Sequence, residues 1–317
     1  MRQLKYIVLF CVITQLQTKI IESDRLSDVN QFVDKDSIVL FDIDETLART
    51  PNYAGSSIWV NYNIKKLQEK GLSFQVALDD ILYIFFTIHN VINMLPVANS
   101  PQIVENLQKK GAYVMGLTSR SIPIMKRTIQ QLAQLGIDFS KSTVYDKSLD
   151  LVDAYVGKLY KAVIFTGSNN KGKMLFLLFD KIGYKPKKII FVDDKLKNVQ
   201  DVEREAKKHG IEYVGIRFSK LDNWRDRFDP AVAKKQLHEF KVNVGLLPIK
   251  KTPSKLPIDH IEPKLTPIIL KEKNGKKRCS KALQRNRNTI KKKVPRPNLM
   301  QSVCMVDARG LNQEKKV

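Results

Sequence analysis

Two patterns of apolar residues take turns along this chain. Short runs that are apolar throughout occur in "DSIVLFDID" (36–44), "AYVMGLTSR" (112–120), "KLYKAVIFTG" (158–167), "KKIIFVDD" (187–194) and "IEYVGIRF" (211–218). A run without polar alternation predicts a strand buried on both faces. Between them lie stretches with helical spacing and end signals. "SPQIVENLQKKG" (100–111) offers Ser100 as N-cap, Pro101 in the first turn and Gly111 as a stop. "SIPIMKRTIQQLAQLG" (121–136) follows with Ser121 or Ser119 as cap and Gly136 at its end, then "NKGKMLFLLFDKIG" (170–183), "NVQDVEREAKKHG" (198–210) and a last helix over about 229–240. Residues 24–35 predict a short polar lead-in helix, and 137–160 read as irregular. Buried strands alternating with helices predict an α/β fold: a three-layer sandwich with a Rossmann-like, mostly parallel sheet. In such sheets ligands bind at the carboxyl ends of the strands.

The alternation breaks between residues 51 and 98. "SSIWVNYNIKKLQEKG" and "SFQVALDDILYIFFTIHNVINML" predict two helices in succession, divided at Gly71 and ended by Pro96. This segment is a small helical cap insertion in a core made of residues 23–50 and 99–244. His89 lies on its apolar second helix and reads as a packed or surface residue.

Charge changes the picture at the ends. The chain of 317 residues has a formal net charge of +23. Residues 250–317 hold 19 Lys and Arg against 5 Asp and Glu, a net of +14. The segment 245–317 is therefore expected to be a basic, disordered tail, suited to an anionic surface or polymer. It has no Phe, Tyr or Trp to stack on bases, which disfavours nucleic acid. At the other end, Arg2 and Lys5 precede an apolar run from Tyr6 to Ile13, the layout of a signal peptide, assigned to residues 1–22. An exported protein, periplasmic or secreted, is the expectation, with no transmembrane segment beyond that signal. The three cysteines, Cys11, Cys279 and Cys304, are too few and scattered for a disulfide framework or a metal site.

The unusual polar residues cluster where the strands end. Asp42 and Asp44 follow the first buried run and, two apart on an extended chain, point to one side. Two carboxylates so close need a cation or a proton between them, and magnesium is the hard cation for such a set. Glu45 points away from Asp44 and is expected only to flank the site. Thr118, Ser119 and Arg120 follow the second run, and Asp193 and Asp194 a later one. Lys171 and Lys173 open a helix, where a cation can neutralise a phosphate or an aspartate.

In this order the pieces resemble the haloacid dehalogenase (HAD) superfamily of phosphotransferases over about residues 37–217. Its D-x-D-x-T motif is Asp42-Ile43-Asp44-Glu45-Thr46, its strand-end hydroxyl Thr118, its lysine Lys171 in K-G-x-x-L, and its late acids Asp193 and Asp194. Asn198 stands where the family often has a further acid. The stretches "FDIDETL", "GSSIW", "FTGSNNKG" and "IIFVDD" also resemble a bacterial group within it, the DUF2608 proteins. The resemblance implies a magnesium-dependent phosphatase. Asp42 would be the nucleophile, Asp44 the general acid and base, Thr118 a phosphoryl contact and Lys171 the charge-offsetting cation. Asp42, the backbone carbonyl of Asp44, and Asp194 would hold magnesium. Asp194 is preferred over Asp193 for its spacing to Asn198, and Lys171 over Lys173 for the glycine that follows it. Ser119, Arg120, Lys173, Asp193 and Asn198 are secondary candidates, with Arg120 a phosphate contact or a helix start. Tyr53 and Trp59, just after the first motif, either line the substrate entrance or pack within the cap. The alternative function is a non-catalytic binding protein of the same fold that works through its tail.

Overall fold

The computed structural model describes residues 17–246. Eight strands form one sheet: β1 (Thr18–Ser23), β2 (Ser37–Phe41), β5 (Tyr113–Thr118), β6 (Leu149–Val152), β7 (Val156–Tyr160), β8 (Val163–Phe165), β9 (Lys188–Asp193) and β10 (Glu212–Phe218). Two further strands, β3 (Ala48–Arg49) and β4 (Leu95–Pro96), make a small antiparallel ribbon. The helices are α1 (Ser57–Glu69), α2 (Phe74–Val91), α3 (Ser100–Lys109), α4 (Met125–Gln134), α5 (Lys171–Ile182), α6 (Leu196–Lys208), α7 (Asp222–Asp226) and α8 (Pro230–Asn243). A 3-10 turn at Leu26–Gln31 occupies the expected lead-in helix.

The strand order is β1-β10-β9-β2-β5-β8-β7-β6. Every pairing from β1 to β8 is parallel, so β2, β5, β8, β9 and β10 end on the same side. β2 is central, with all five of its residues buried, as an uninterrupted apolar run requires. The far edge differs from the expectation. Residues 158–167 are two strands, not one: Lys161 and Ala162 both take left-handed backbone (φ 50° and 58°) and turn β7 back antiparallel against β8. That turn usually uses Asn or Gly, and neither is present to announce it. The adjoining stretch read as irregular supplies β6, antiparallel to β7.

The opposite edge bears on the leader. Thr18–Ser23 pairs in register with Tyr213–Phe218. Residues 18–22 of the expected signal peptide thus form most of β1. The rest of the proposed signal peptide, and residues 247–317 of the basic tail, lie outside the described residues.

The β3–β4 ribbon is the stem of the insertion, since it clasps the chain where the cap leaves and rejoins the core. The cap has its own apolar cluster of Trp59, Val60, Ile64, Ala77, Leu78, Ile81, Leu82 and Ile88. Ala233, Phe228, Leu237 and Phe240 join it, so the α8 segment, expected to belong to the core, packs on the cap. Among the described residues no helix is long and apolar enough to cross a membrane.

Helix α5 explains one motif residue. Gly172 lies where a Cβ would fall 2.3 Å from the carbonyl oxygen of Asp201. The glycine after Lys171 thus lets α5 approach the backbone of α6, which brings the lysine to the sheet end.

Candidate active site

Asp42 follows β2 directly, and its amide donates to the carbonyl of Val192 at 2.9 Å. That bond ties the end of β2 to the end of β9, where Asp193 and Asp194 stand. Lys171 begins α5, whose N-cap Asn170 accepts from the Lys173 amide. The Lys171 ammonium donates to Asp42 Oδ1 at 2.6 Å and to Asp193 Oδ2 at 2.7 Å. All three side chains are buried, and Asp193 is 0% exposed. Asp193 also accepts from the Lys195 amide at 2.8 Å and from Asn198 Nδ2 at 3.0 Å. Asn198 therefore supports Asp193, while Lys173 is exposed on the outer side of α5. Burial raises the Asp42 carboxyl to about 7; Lys171 opposes the rise, and Asp193 and Asp44 add to it. The paired acids hold Lys171 above its ordinary value despite the burial that works to lower it.

Asp44 keeps different company. Arg120 Nε donates to its Oδ2 at 2.7 Å and Nη2 to its Oδ1 at 2.8 Å, a bidentate fork. Behind the fork, Nη1 donates to Gln131 Oε1 at 2.7 Å and to Thr128 Oγ1 at 3.0 Å. His89 Nδ1 lies 3.3 Å from Nη2, and His89 Nε2 lies 2.9 Å from the carbonyl of Gly55. Gln131 Nε2 donates to the carbonyls of His89 and Ile92. Burial works to raise the Asp44 carboxyl, but the charge and hydrogen bonds of Arg120 hold it at about 2. Burial and then Arg120 push His89 down to about 4, with Asp44 and Gly55 opposing, so its ring is neutral at pH 7.

Arg120, expected as a phosphate contact or a helix start, thus spans from the acid loop to the cap helix α2. The expected caps also differ. Helix α4 begins only at Met125, after a 3-10 turn at Ile122–Ile124, and Ser121 makes no cap bond. Ser100 is the first residue of α3 rather than its cap, and its hydroxyl donates to the Leu47 carbonyl at 2.7 Å. Thr118 is buried at the end of β5, where its Oγ1 accepts from the Arg120 amide at 3.2 Å. Ser119, beside it, is half-buried.

A third group was not foreseen. Glu45 takes left-handed backbone (φ 64°) and turns its carboxylate inward, to 3% exposure. Its Oε1 accepts from the amide and hydroxyl of Ser57 at 3.1 and 2.6 Å, at the start of α1. Its Oε2 lies 3.3 Å from Arg225 Nη1. The same guanidinium contacts Asp194 Oδ2 and Asp222. The Asp194 amide donates to Thr46 Oγ1 at 3.1 Å. Glu45 therefore does more than flank the site. Arg225 lies 180 residues away along the chain, with no local motif to mark it.

Of the two expected alternatives for Trp59 and Tyr53, packing is the one with contacts to name. Trp59 is 3% exposed within the cap cluster. Tyr53 stacks on Trp224 with ring centres 4.8 Å apart, and its hydroxyl donates to the Arg227 carbonyl at 2.9 Å. Both rings pack in the helical layer, Trp59 fully buried and Tyr53 half-buried.

Asp42, Asp193 and Asp194 can each offer a carboxylate oxygen within 4.8 Å of the other two. This is an all-oxygen donor set, one that fits a hard divalent cation.

A chlamydial protein from Chlamydia pneumoniae named "Putative outer membrane protein" is 22% identical over 250 residues, covering 73% of this chain and 88% of that one. A Chlamydia trachomatis protein of the same name is 25% identical over 197 residues, covering 62% and 72%. Solved structures similar to this chain include a HAD-superfamily hydrolase from Ehrlichia chaffeensis, at 10% identity and TM-score 0.33 over 64% of this chain and 94% of that one. Another, from Geobacter sulfurreducens, has 10% identity and TM-score 0.34 over 59% and 94%. The family described as "Protein of unknown function (DUF2608)" matches residues 22–244, and the chain belongs to that family.

Proposed function

We propose that this chain is a HAD-type phosphatase, magnesium-dependent, that cleaves a phosphomonoester through an aspartyl-phosphate. The observation that carries the reading is Lys171 between Asp42 and Asp193, beside Asp194, at the carboxyl end of the parallel sheet.

An oxygen of Asp42 attacks phosphorus, and the bond from phosphorus to the ester oxygen breaks. The leaving alkoxide takes a proton from Asp44. Water then attacks the aspartyl-phosphate, Asp44 takes its proton, and the Asp42–phosphorus bond breaks to release inorganic phosphate and restore the carboxylate. Thr118 orients a phosphoryl oxygen, and Lys171 offsets the charge that develops around Asp42. Asp42, Asp194 and the backbone carbonyl of Asp44 would hold magnesium, with Asp193 anchoring Lys171 next to them. When bound, the cation neutralises phosphoryl charge. For its acid role Asp44 must exchange the Arg120 fork for a proton, so the forked arrangement is a resting one.

A second reading rests on that fork. With both oxygens of Asp44 bonded to Arg120, a chain that never releases it would bind phosphorylated ligands without turning them over. Turnover of p-nitrophenyl phosphate with magnesium, abolished by EDTA and by Asp42→Asn, supports the phosphatase. A wild type as inert as Asp42→Asn across a broad phosphomonoester panel sinks it in favour of the binding protein. The names of the chlamydial relatives and the charged, apolar N-terminus support export as part of this proposal. The basic segment 245–317 is proposed to hold an anionic surface or polymer. Deleting it should leave turnover intact and abolish retention on heparin or anionic vesicles.

A further inference from the structure

Arg225 is a cation that the proposed reaction leaves unused, yet its guanidinium touches one of the three clustered acids. It reaches from α7 between Glu45 and Asp194, and Asp222 on the same helix contacts it from behind. Glu45 and Asp194 are 3% exposed, so Arg225, together with Lys195 just before α6, offsets charge that water reaches poorly. The contact uses Asp194 Oδ2, and Asp194 is one of the acids whose oxygens lie within 4.8 Å of one another. A guanidinium bonded to that carboxylate and a divalent cation held by it repel each other at short range.

The neighbours of Arg225 connect it to the cap. Trp224 stacks on Tyr53 at 4.8 Å. The Tyr53 amide donates to Gln236 Oε1 on α8 at 2.9 Å, and Glu45 accepts from Ser57 at the start of α1. A shift of Arg225 away from Asp194 therefore pulls on the short helix that carries Trp224 and on the acid that holds α1.

We propose that Arg225 is a positioning residue for the acidic cluster: it serves as a built-in counter-cation in direct contact with Asp194 and Glu45, and a divalent cation at the cluster competes with it. Cation binding is thereby coupled to the Trp224–Tyr53 stack. The inference rests on reading the cluster as a metal site. It adds that the resting site is closed by its own arginine and that occupancy is felt at the root of the cap.

The test titrates magnesium alone into the full chain by calorimetry and follows tryptophan emission in parallel. Arg225→Gln should bind magnesium more tightly, with Kd lower by about 5-fold or more, the scale of a typical coupling between sites. Arg225→Lys, which keeps the charge without the fork, should fall between it and the wild type, and it serves if Arg225→Gln does not fold. Magnesium should change the emission of the wild type, and Trp224→Phe should remove that change. Equal or weaker magnesium binding in both Arg225 variants, with the wild type binding normally, overturns the competition. An emission change that survives in Trp224→Phe overturns the coupling to the stack. Absence of magnesium binding in the wild type and in both variants overturns the metal-site reading itself and the inference with it.

Discussion

Asp42 and Asp44 are two residues apart in one motif, and they end in opposite surroundings. Asp42 faces the sheet end, where Lys171 joins it to Asp193 and Asn198 supports the far side. Asp44 faces the cap, where Arg120 grips it and is itself held by Thr128, Gln131 and His89. The carboxyls diverge accordingly, Asp42 rising to about 7 through burial and Asp44 falling to about 2 under Arg120. Groups that are chemically alike take different roles from the cations around them. The point cation Lys171 serves two acids on two strands, whereas the planar fork of Arg120 fixes one carboxylate and spreads its remaining donors into the cap.

The largest effect expected on this contrast is chemical. Asp42→Asn should cut turnover of p-nitrophenyl phosphate by at least ~10³-fold, as removal of a nucleophile does elsewhere, with little change in melting temperature. A residual rate near that of the wild type would move the nucleophile away from Asp42.

Stability comes next. Lys171→Met leaves Asp42 and Asp193 buried without their shared cation and should cost about 3–5 kcal/mol, read by urea unfolding. Arg120→Gln strands a less buried acid, since the Asp44 side chain is 29% exposed, and should cost about 1–3 kcal/mol. The two variants should also differ in place. Hydrogen exchange should rise in α2 for Arg120→Gln and at the ends of β2 and β9 for Lys171→Met. Identical exchange patterns would erase the distinction between the two centres.

The smallest effect is a pH dependence on the Arg120 side. The folded value of His89, about 4, is below its ordinary 6.5. As pH falls through 6.5 the unfolded chain takes up a proton that the folded chain refuses, so stability decreases, and the loss levels off below about 4. Between pH 7 and pH 6 the loss from this residue is about 0.7 kcal/mol. His89→Gln should flatten that part of the profile, measured as the difference in unfolding free energy between the two chains.

Much of the framework was legible because burial on both faces leaves a plain mark. The runs around β2, β5, β9 and β10 contain few polar residues, since covered parallel strands have nowhere to put them. The β7–β8 hairpin was illegible for the converse reason. Its turn residues, Lys161 and Ala162, carry no turn signal, so the run reads straight through. In the site, Asp42, Lys171 and the Asp193–Asp194 pair were readable from local motifs, and the fold brings all of them to one place. Arg120 was visible, but its partner was not, because Asp44 lies 76 residues away. Glu45 illustrates the limit of spacing arguments. On an extended strand it would point away from Asp44, but the strand stops at Phe41 and the left-handed backbone at Glu45 turns its side chain inward.

The sequence by itself determined the parallel sheet, the place of the insertion and the acids and lysine at the strand ends. Periodicity and short motifs are local, and each of these features is written within a few consecutive residues. Only the tertiary structure decided which cation meets which acid, that α8 belongs with the cap, and that Arg225 reaches Glu45 and Asp194. Those pairings join residues from distant parts of the chain. Their strength comes from shared burial and from charge at short range, and neither exists until the chain has folded.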